Sequence, residues 1–376
     1  MAEKDLGFLK ETQRLVVKVG SSTLTYPTGK LNLYQLERLV RELADLKHQG
    51  LEIILVTSGA VGAGMGKLGL EERPKTIPEK QALASIGQGI LMHMYEKFFS
   101  EYGETVAQVL LTREDLTNRG RYLNARNTLL TLLRLGVIPI VNENDTVVFE
   151  EIKFGDNDTL AALVAGLVDA DLLVLLSDID GLYTADPRQD STAQLIKVVE
   201  ELTPEITKQA GGSGTKLGTG GMMTKLQAAK IASNSGIPMM VTNGSREGVM
   251  REIIRGVNPG TLFVPRDHRI NTRKTWIAFA SKINGRLYVD SGAEKALVEK
   301  GKSLLPSGII KVEGNFKRAC VVSIMGQSEE IARGIVNYAA SEINKIMGCQ
   351  SKDITEILGH KDYDEVIHRD NLTLKV

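Results

Sequence analysis

The stretch D-L-L-V-L-L-S, residues 171 to 177, sets five aliphatic side chains in a row between an aspartate and a serine. With no alternation of polar and apolar positions, it reads as a strand covered on both faces. Outward from it similar runs recur: R-L-V-V-K-V at 14 to 19, L-E-I-I-L-V-T at 51 to 57, V-A-Q-V-L-L-T at 106 to 112, V-I-P-I-V-N at 137 to 142 and P-M-M-V-T at 238 to 242. Helical patterns separate them. Leu36, Leu39, Val40, Leu43 and Leu46 fall on one face of the segment 34 to 47, and further helices are expected around 80 to 102, 122 to 135, 158 to 168 and 224 to 235. Strands of this kind alternating with helices predict an α/β fold, an open mostly parallel sheet sandwiched by helices, over residues 1–265. In such sheets ligands sit beyond the carboxyl ends of the strands.

The pattern changes near residue 265. P-R-D-H-R-I-N-T-R-K is polar and charged, so 266–281 reads as a linker. Over 282–376, glycines at 285, 292, 301, 308, 314 and 326 punctuate short runs such as R-L-Y-V-D, G-I-I-K-V and A-C-V-V-S-I-M. Brief strands between regular turn signals predict a small second domain, an antiparallel β barrel or sandwich, with a C-terminal extension.

A chain of 376 residues, 42% hydrophobic and 24% charged, is long enough for two cores. Its 46 Lys+Arg balance 46 Asp+Glu. That argues against nucleic acid or an anionic membrane as the main partner. Residues 282–376 carry 14 Lys+Arg and 13 Asp+Glu, poor footing for binding RNA through the second domain. The polar N-terminus, M-A-E-K-D-L-G-F-L-K-E-T, does not resemble a signal peptide, and no apolar run approaches bilayer length. The expected location is therefore cytoplasmic. Cys320 and Cys349 do not make a disulfide framework, and the five histidines show no metal-ligand spacing.

The loops after the strands carry the chemistry. Lys18 stands near the end of the first strand, followed by Gly20, Ser21 and Ser22. A lysine there either meets an anion at the sheet edge or carries its ammonium out to water, and the residues alone leave both open. After the second strand come Ser58, Gly59 and Ala60, small residues whose amides and hydroxyl suit a carboxylate or phosphate. Neither loop is a P-loop, and no G-x-G-x-x-G follows the first strand, which counts against a dinucleotide enzyme. Asn142 and Asp145 follow the strand V-I-P-I-V, and Asp156, Asn157 and Asp158 open the next helix. One acidic residue at a helix start is accounted for by capping. Two polar clusters within about sixteen residues fit better with recognition of an amino acid's ammonium and carboxylate. Ser177 and Asp178, at a strand's carboxyl end, are candidates for nucleotide contact. The segment G-T-G-G-M-M-T-K, 218 to 225, is dense in glycine yet ends on a lysine at a helix start, as a phosphate loop would. The preceding A-G-G-S-G-T, 210 to 215, reads as a flexible approach to it. Strand-end lysines, glycine loops and acidic organisers, without a nucleophile triad or metal cage, suit phosphoryl transfer.

Seven segments occur in a familiar order: K-V-G-S-S at 18, V-T-S-G-A at 56, L-N-A-R-N-T at 123, V-N-E-N-D at 141, I-K-F-G-D-N-D at 152, D-G-L-Y-T-A-D-P-R at 180 and G-T-G-G-M-M-T-K-L-Q-A-A at 218. Together they resemble the amino acid kinase family, in the branch that phosphorylates glutamate. Relatives acting on N-acetylglutamate usually carry a second glycine where this chain has Ser21. The C-terminal region, with L-L-P-S-G-I at 304 and V-E-G-N-F at 312, resembles a PUA domain. The resemblance implies ATP-dependent phosphorylation of the side-chain carboxylate of L-glutamate, the first step of proline biosynthesis. It implies that Lys18 and Lys225 contact the phosphates and that Asp158 holds both lysines. Ser58, Gly59, Ala60, Asn142, Asp145, Asp156 and Asn157 would bind glutamate. Ser177, Asp178, Thr219, Gly220, Gly221, Met222, Met223 and Thr224, with Lys18 and Lys225, would bind ATP, with Mg2+ carried on its phosphates and no metal site of the protein's own. It further implies inhibition by proline, a homodimer or homotetramer, and a functional partnership with glutamyl phosphate reductase.

Overall fold

The computed structural model describes residues 6–26, 28–147, 157–187, 189–203, 206, 221–265, 283–327 and 329–374. The chain divides into two compact units, Met1–Arg269 and Ile270–Val376. The linker expected at 266–281 lies outside the described residues.

The first unit is built on β1 (Arg14–Val19), β2 (Glu52–Val56), β3 (Val106–Leu111), β4 (Ile138–Glu143), β5 (Leu172–Ser177), β6 (Val198–Val199), β7 (Met239–Asn243) and β8 (Thr261–Phe263). They form one sheet in the order β3-β4-β2-β1-β5-β7-β8-β6. From β3 to β7 every neighbouring pair is parallel, so the carboxyl ends of these strands lie along one edge. β8 runs antiparallel to β7 and carries the short β6 beside it. β4 and β5 are buried at every position, which is why both read as apolar runs up to their polar carboxyl ends.

The helices begin where side chains can satisfy free amides. Asn32 accepts from the Gln35 amide before the Leu33–His48 helix, and Thr76 and Glu79 form a reciprocal capping box before Ile77–Ser100. The Asn157–Leu167 helix is buried at every position from Asp158 on. Its far end is tied down: Arg126 donates to the Leu167 carbonyl and pairs with Asp169 at 2.7 Å, and Arg14 donates to the Val168 carbonyl.

A helix spans Ala60–Leu68 where the sequence suggests a loop of small residues. Three of its residues are glycine, at 62, 64 and 66, and glycine costs about 1 kcal/mol relative to alanine in a helix interior. Contact with the Ile77–Ser100 helix offsets that cost. A Cβ on Gly64 would stand 2.1 Å from the Leu83 carbonyl oxygen, and one on Gly87 would stand 1.7 Å from that of Ala60. The two helices therefore touch backbone to backbone, which only glycine permits. Gly89, two residues on, is exposed with nothing within 4 Å of its would-be Cβ. Gly89→Ala is expected to stabilise the protein by about 0.5–1 kcal/mol in a denaturant titration.

The second unit contains β9 (Ile283–Val289), β10 (Ile309–Glu313), β11 (Val321–Met325), β12 (Glu330–Ile335) and β13 (Leu372–Leu374), in the order β10-β9-β11-β12-β13. Its pairs are antiparallel except β9 with β11, a departure from the all-antiparallel expectation. The cause is topological. β10 opposes β9, and the reversal at 314–320 sends β11 back in the direction of β9, on its other side. Leu287, Val322, Ile324, Tyr338, Ile343 and Val366 lie in a core of its own.

Candidate active site

At the carboxyl edge of the sheet, β1 lies between β2 and β5, with Lys18 in register with Val56 and Leu175. The Lys18 side chain does not reach water. It is 5% exposed, and its Nζ sits 2.6 Å from Oδ1 of Asp158. Asp158 has no exposed surface, and its other oxygen, Oδ2, lies 3.1 Å from Nζ of Lys225. The Thr224 hydroxyl donates to the same oxygen at 3.1 Å. A single carboxylate thus joins the central strand, the Asn157–Leu167 helix and the first turn of the Met222–Asn234 helix. Two ammoniums on one carboxylate leave these three groups with a net positive charge in a buried place, an arrangement suited to an arriving anion.

Lys225 is a poor choice for a first helical turn, where the helix dipole already concentrates positive charge. Asp158 compensates it. A local rule broken and compensated at one point is characteristic of a functional site. Gly221 precedes the helix in an extended conformation, leaving first-turn amides available to an anion. Met222 is half-buried and Met223 is 48% exposed on the same turn. Thr219 and Gly220, and the approach at 210 to 215, lie outside the described residues. On the other side, Ser177 ends β5, buried, its hydroxyl 3.2 Å from Oδ1 of the exposed Asp178 and its carbonyl accepting from the Gly244 amide.

Next to this cluster is a second one made of neutral polar groups. The Asn157 amide nitrogen lies 2.7 Å from the Thr57 carbonyl, 2.9 Å from Ser58 Oγ and 2.9 Å from Asn142 Oδ1. It draws together the ends of β2 and β4 and the start of the helix. Gly59 has φ +94°, a left-handed turn that opens the Ala60–Leu68 helix immediately after Ser58. Beneath it the Thr57 hydroxyl meets the Tyr95 hydroxyl at 2.8 Å, and burial pushes the Tyr95 phenol well above its ordinary pKa, so it stays protonated. Asp145 stands half-buried in the turn after β4. Asp156 lies outside the described residues.

Residues 13–243 match the amino acid kinase family, and residues 285–358 match the PUA domain. A glutamate 5-kinase of Moorella thermoacetica is 58% identical over 365 residues, 97% of this chain and 97% of the relative. One from Caldanaerobacter subterraneus is 60% identical over 362 residues, 96% and 97%. The chain belongs to the amino acid kinase family, in its glutamate 5-kinase branch. In this amino acid kinase, no group of His, Cys, Asp and Glu among the described residues is arranged to hold a metal ion. A glutamate 5-kinase uses ATP together with magnesium.

Sequence reasoning passes over Thr57, Tyr95 and Gln88, all of which touch the polar cluster. For Gln88 a signal exists. It falls on the stripe of the Ile77–Ser100 helix that buries Leu83, Ala84, Gly87, Leu91 and Tyr95. A glutamine on that stripe needs a partner inside the protein, and it finds Asn142.

Proposed function

We propose that this kinase transfers the γ-phosphoryl group of ATP to the side-chain carboxylate of L-glutamate, giving L-glutamyl 5-phosphate and opening proline biosynthesis. The observation that carries the reading is the buried Lys18–Asp158–Lys225 cluster at the carboxyl edge of the sheet, beside the amide-rich group of Asn142, Asn157 and Ser58. A side-chain carboxylate oxygen forms the new bond to phosphorus while the bond to the bridging oxygen of ADP breaks. The acceptor is ionised at neutral pH, its ordinary pKa being about 4.3, so no proton has to be removed. What the transfer needs is alignment and cancellation of charge on the moving group. Lys18 and Lys225 supply the cations, and Asp158 fixes both ammoniums. Bound to ATP, Mg2+ supplies further charge neutralisation at the phosphate oxygens.

The amide-rich group binds glutamate, with Ser58, Gly59, Ala60, Asn142, Asp145, Asp156 and Asn157 around it. Ser177, Asp178 and the segment Thr219 to Lys225 bind ATP. The test is direct. Purified protein given ATP, magnesium and L-glutamate should form an acyl phosphate that hydroxylamine traps as a hydroxamate. Turnover of N-acetylglutamate or aspartate, with none of glutamate, would overturn the branch assignment.

The family resemblance supports the remaining readings. These are catalytic and PUA-like parts at 1–265 and 282–376, L-proline as an inhibitor at or near the glutamate site, a homodimer or homotetramer, glutamyl phosphate reductase as functional partner consuming the labile product, and a cytoplasmic location. Among the described residues no helix is long and apolar enough to cross a membrane.

A further inference from the structure

Gln88 is 9% exposed, and only half of its amide is accounted for. Its Oε1 accepts from Asn142 Nδ2 at 2.7 Å. The orientation is fixed by the neighbours. Asn142 Oδ1 accepts from the Glu143 amide and from Asn157, each at 2.9 Å, so Asn142 must turn its nitrogen to Gln88 and Gln88 its oxygen to Asn142. That leaves Gln88 Nε2 as a donor, shielded from water and without a hydrogen-bond partner among the described residues. An unpaired buried donor is costly, and a side chain needed merely to hold Asn142 would require the acceptor alone.

Resting on the reading of this site as a glutamate site, we propose that Gln88 is a specificity-determining residue whose Nε2 donates to a carboxylate oxygen of the acceptor amino acid. Nε2 and Oε1 share one carbon, so the donor stands beside Asn142, whose own Oδ1 is bonded to Asn157. The side chains of Asn142, Asn157 and Ser58 are amides and a hydroxyl, and a carboxylate is an acceptor that an N–H satisfies fully. The donor is desolvated by the fold before substrate arrives, so the bond formed on binding is not diminished by stripping water from Gln88. Gly87 is what brings it there. With no side chain, Gly87 lets its helix touch the Ala60 carbonyl, two residues from Ser58.

Gln88→Glu separates a substrate contact from a purely positioning role, because it keeps an acceptor for Asn142 and replaces the donor with a second oxygen. The expected result at pH 8 is a KM for L-glutamate raised about 10- to 100-fold, with the KM for ATP within about twofold of wild type. The defect should shrink as pH is lowered towards 6, since the introduced carboxyl, once protonated, again offers a donor. A wild-type KM for glutamate in Gln88→Glu, with wild-type turnover intact, sinks the proposal. Wild-type protein inert towards glutamate sinks the functional reading instead. Should Gln88→Glu not fold, Gln88→Met is compared in the wild-type and Asn142→Ala backgrounds. A further rise in glutamate KM in the Asn142→Ala background supports direct donation, and no further rise overturns it.

Discussion

Lys18→Ala and Lys225→Ala should each lower kcat by about 10³-fold or more while leaving the protein folded, whereas Asp158→Ala should abolish activity and markedly lower stability as well. The difference follows from the charges. Removing either lysine leaves one ammonium facing one carboxylate, a neutral buried pair with its hydrogen bond intact. Removing Asp158 leaves two lysines, 5% and 6% exposed, without their shared counterion. Breaking a buried pair in this way costs about 3–5 kcal/mol. Steady-state kcat read beside urea unfolding checks both halves. Near-normal turnover in either lysine variant would remove that lysine from the mechanism. An Asp158→Ala protein as stable as wild type would show that the carboxylate does not hold the lysines in place.

Gly87→Ala should destabilise the catalytic unit by about 3 kcal/mol, enough to lower Tm by roughly 10 °C for a domain of this size. Alanine is normally the better helix former, so the expected sign is opposite to propensity and opposite to that of Gly89→Ala on the same helix. The reason is distance. The new methyl would stand 1.7 Å from the Ala60 carbonyl oxygen and 2.6 Å from the Gly64 amide nitrogen, both backbone atoms that cannot rotate away. The Ile77–Ser100 helix must then withdraw from the Ala60–Leu68 helix, taking Gln88 and Tyr95 with it. Differential scanning calorimetry of the two alanine variants side by side is the measurement. A Gly87→Ala protein melting at or above wild type would contradict the packing described.

The sheet was legible because its strands are buried on both faces. β4 and β5 have no polar interruption before their carboxyl ends, and the helices between strands carry their periodicity openly. The Ala60–Leu68 helix was not, because glycines at 62, 64 and 66 imitate a loop unless the partner they pack against is known. β6 and β8, two and three residues long, are too short to leave a pattern, and the reversed direction of β8 depends on a register no single segment encodes. At the site, the residues alone left Lys18 suspended between an anion and water. What decides it is Asp158, 140 positions away, which local sequence cannot supply. Gln88 stands on a readable buried stripe, but its partner Asn142 lies on another element that local sequence does not supply.

The Asn157–Leu167 helix buries ten of its eleven residues, and arginines clamp its far end. Seen as material for evolution, it is almost without neutral positions. Every side chain from Asp158 to Leu167 is answerable to the core, so substitutions there are filtered by stability before they are tested for catalysis. Descendants with altered acceptor preference must find their changes elsewhere, in the turns that follow β2 and β4 or at Gln88 on the Ile77–Ser100 helix. The aspartate between the two lysines thus sits where any exchange must first satisfy the packing of the fold.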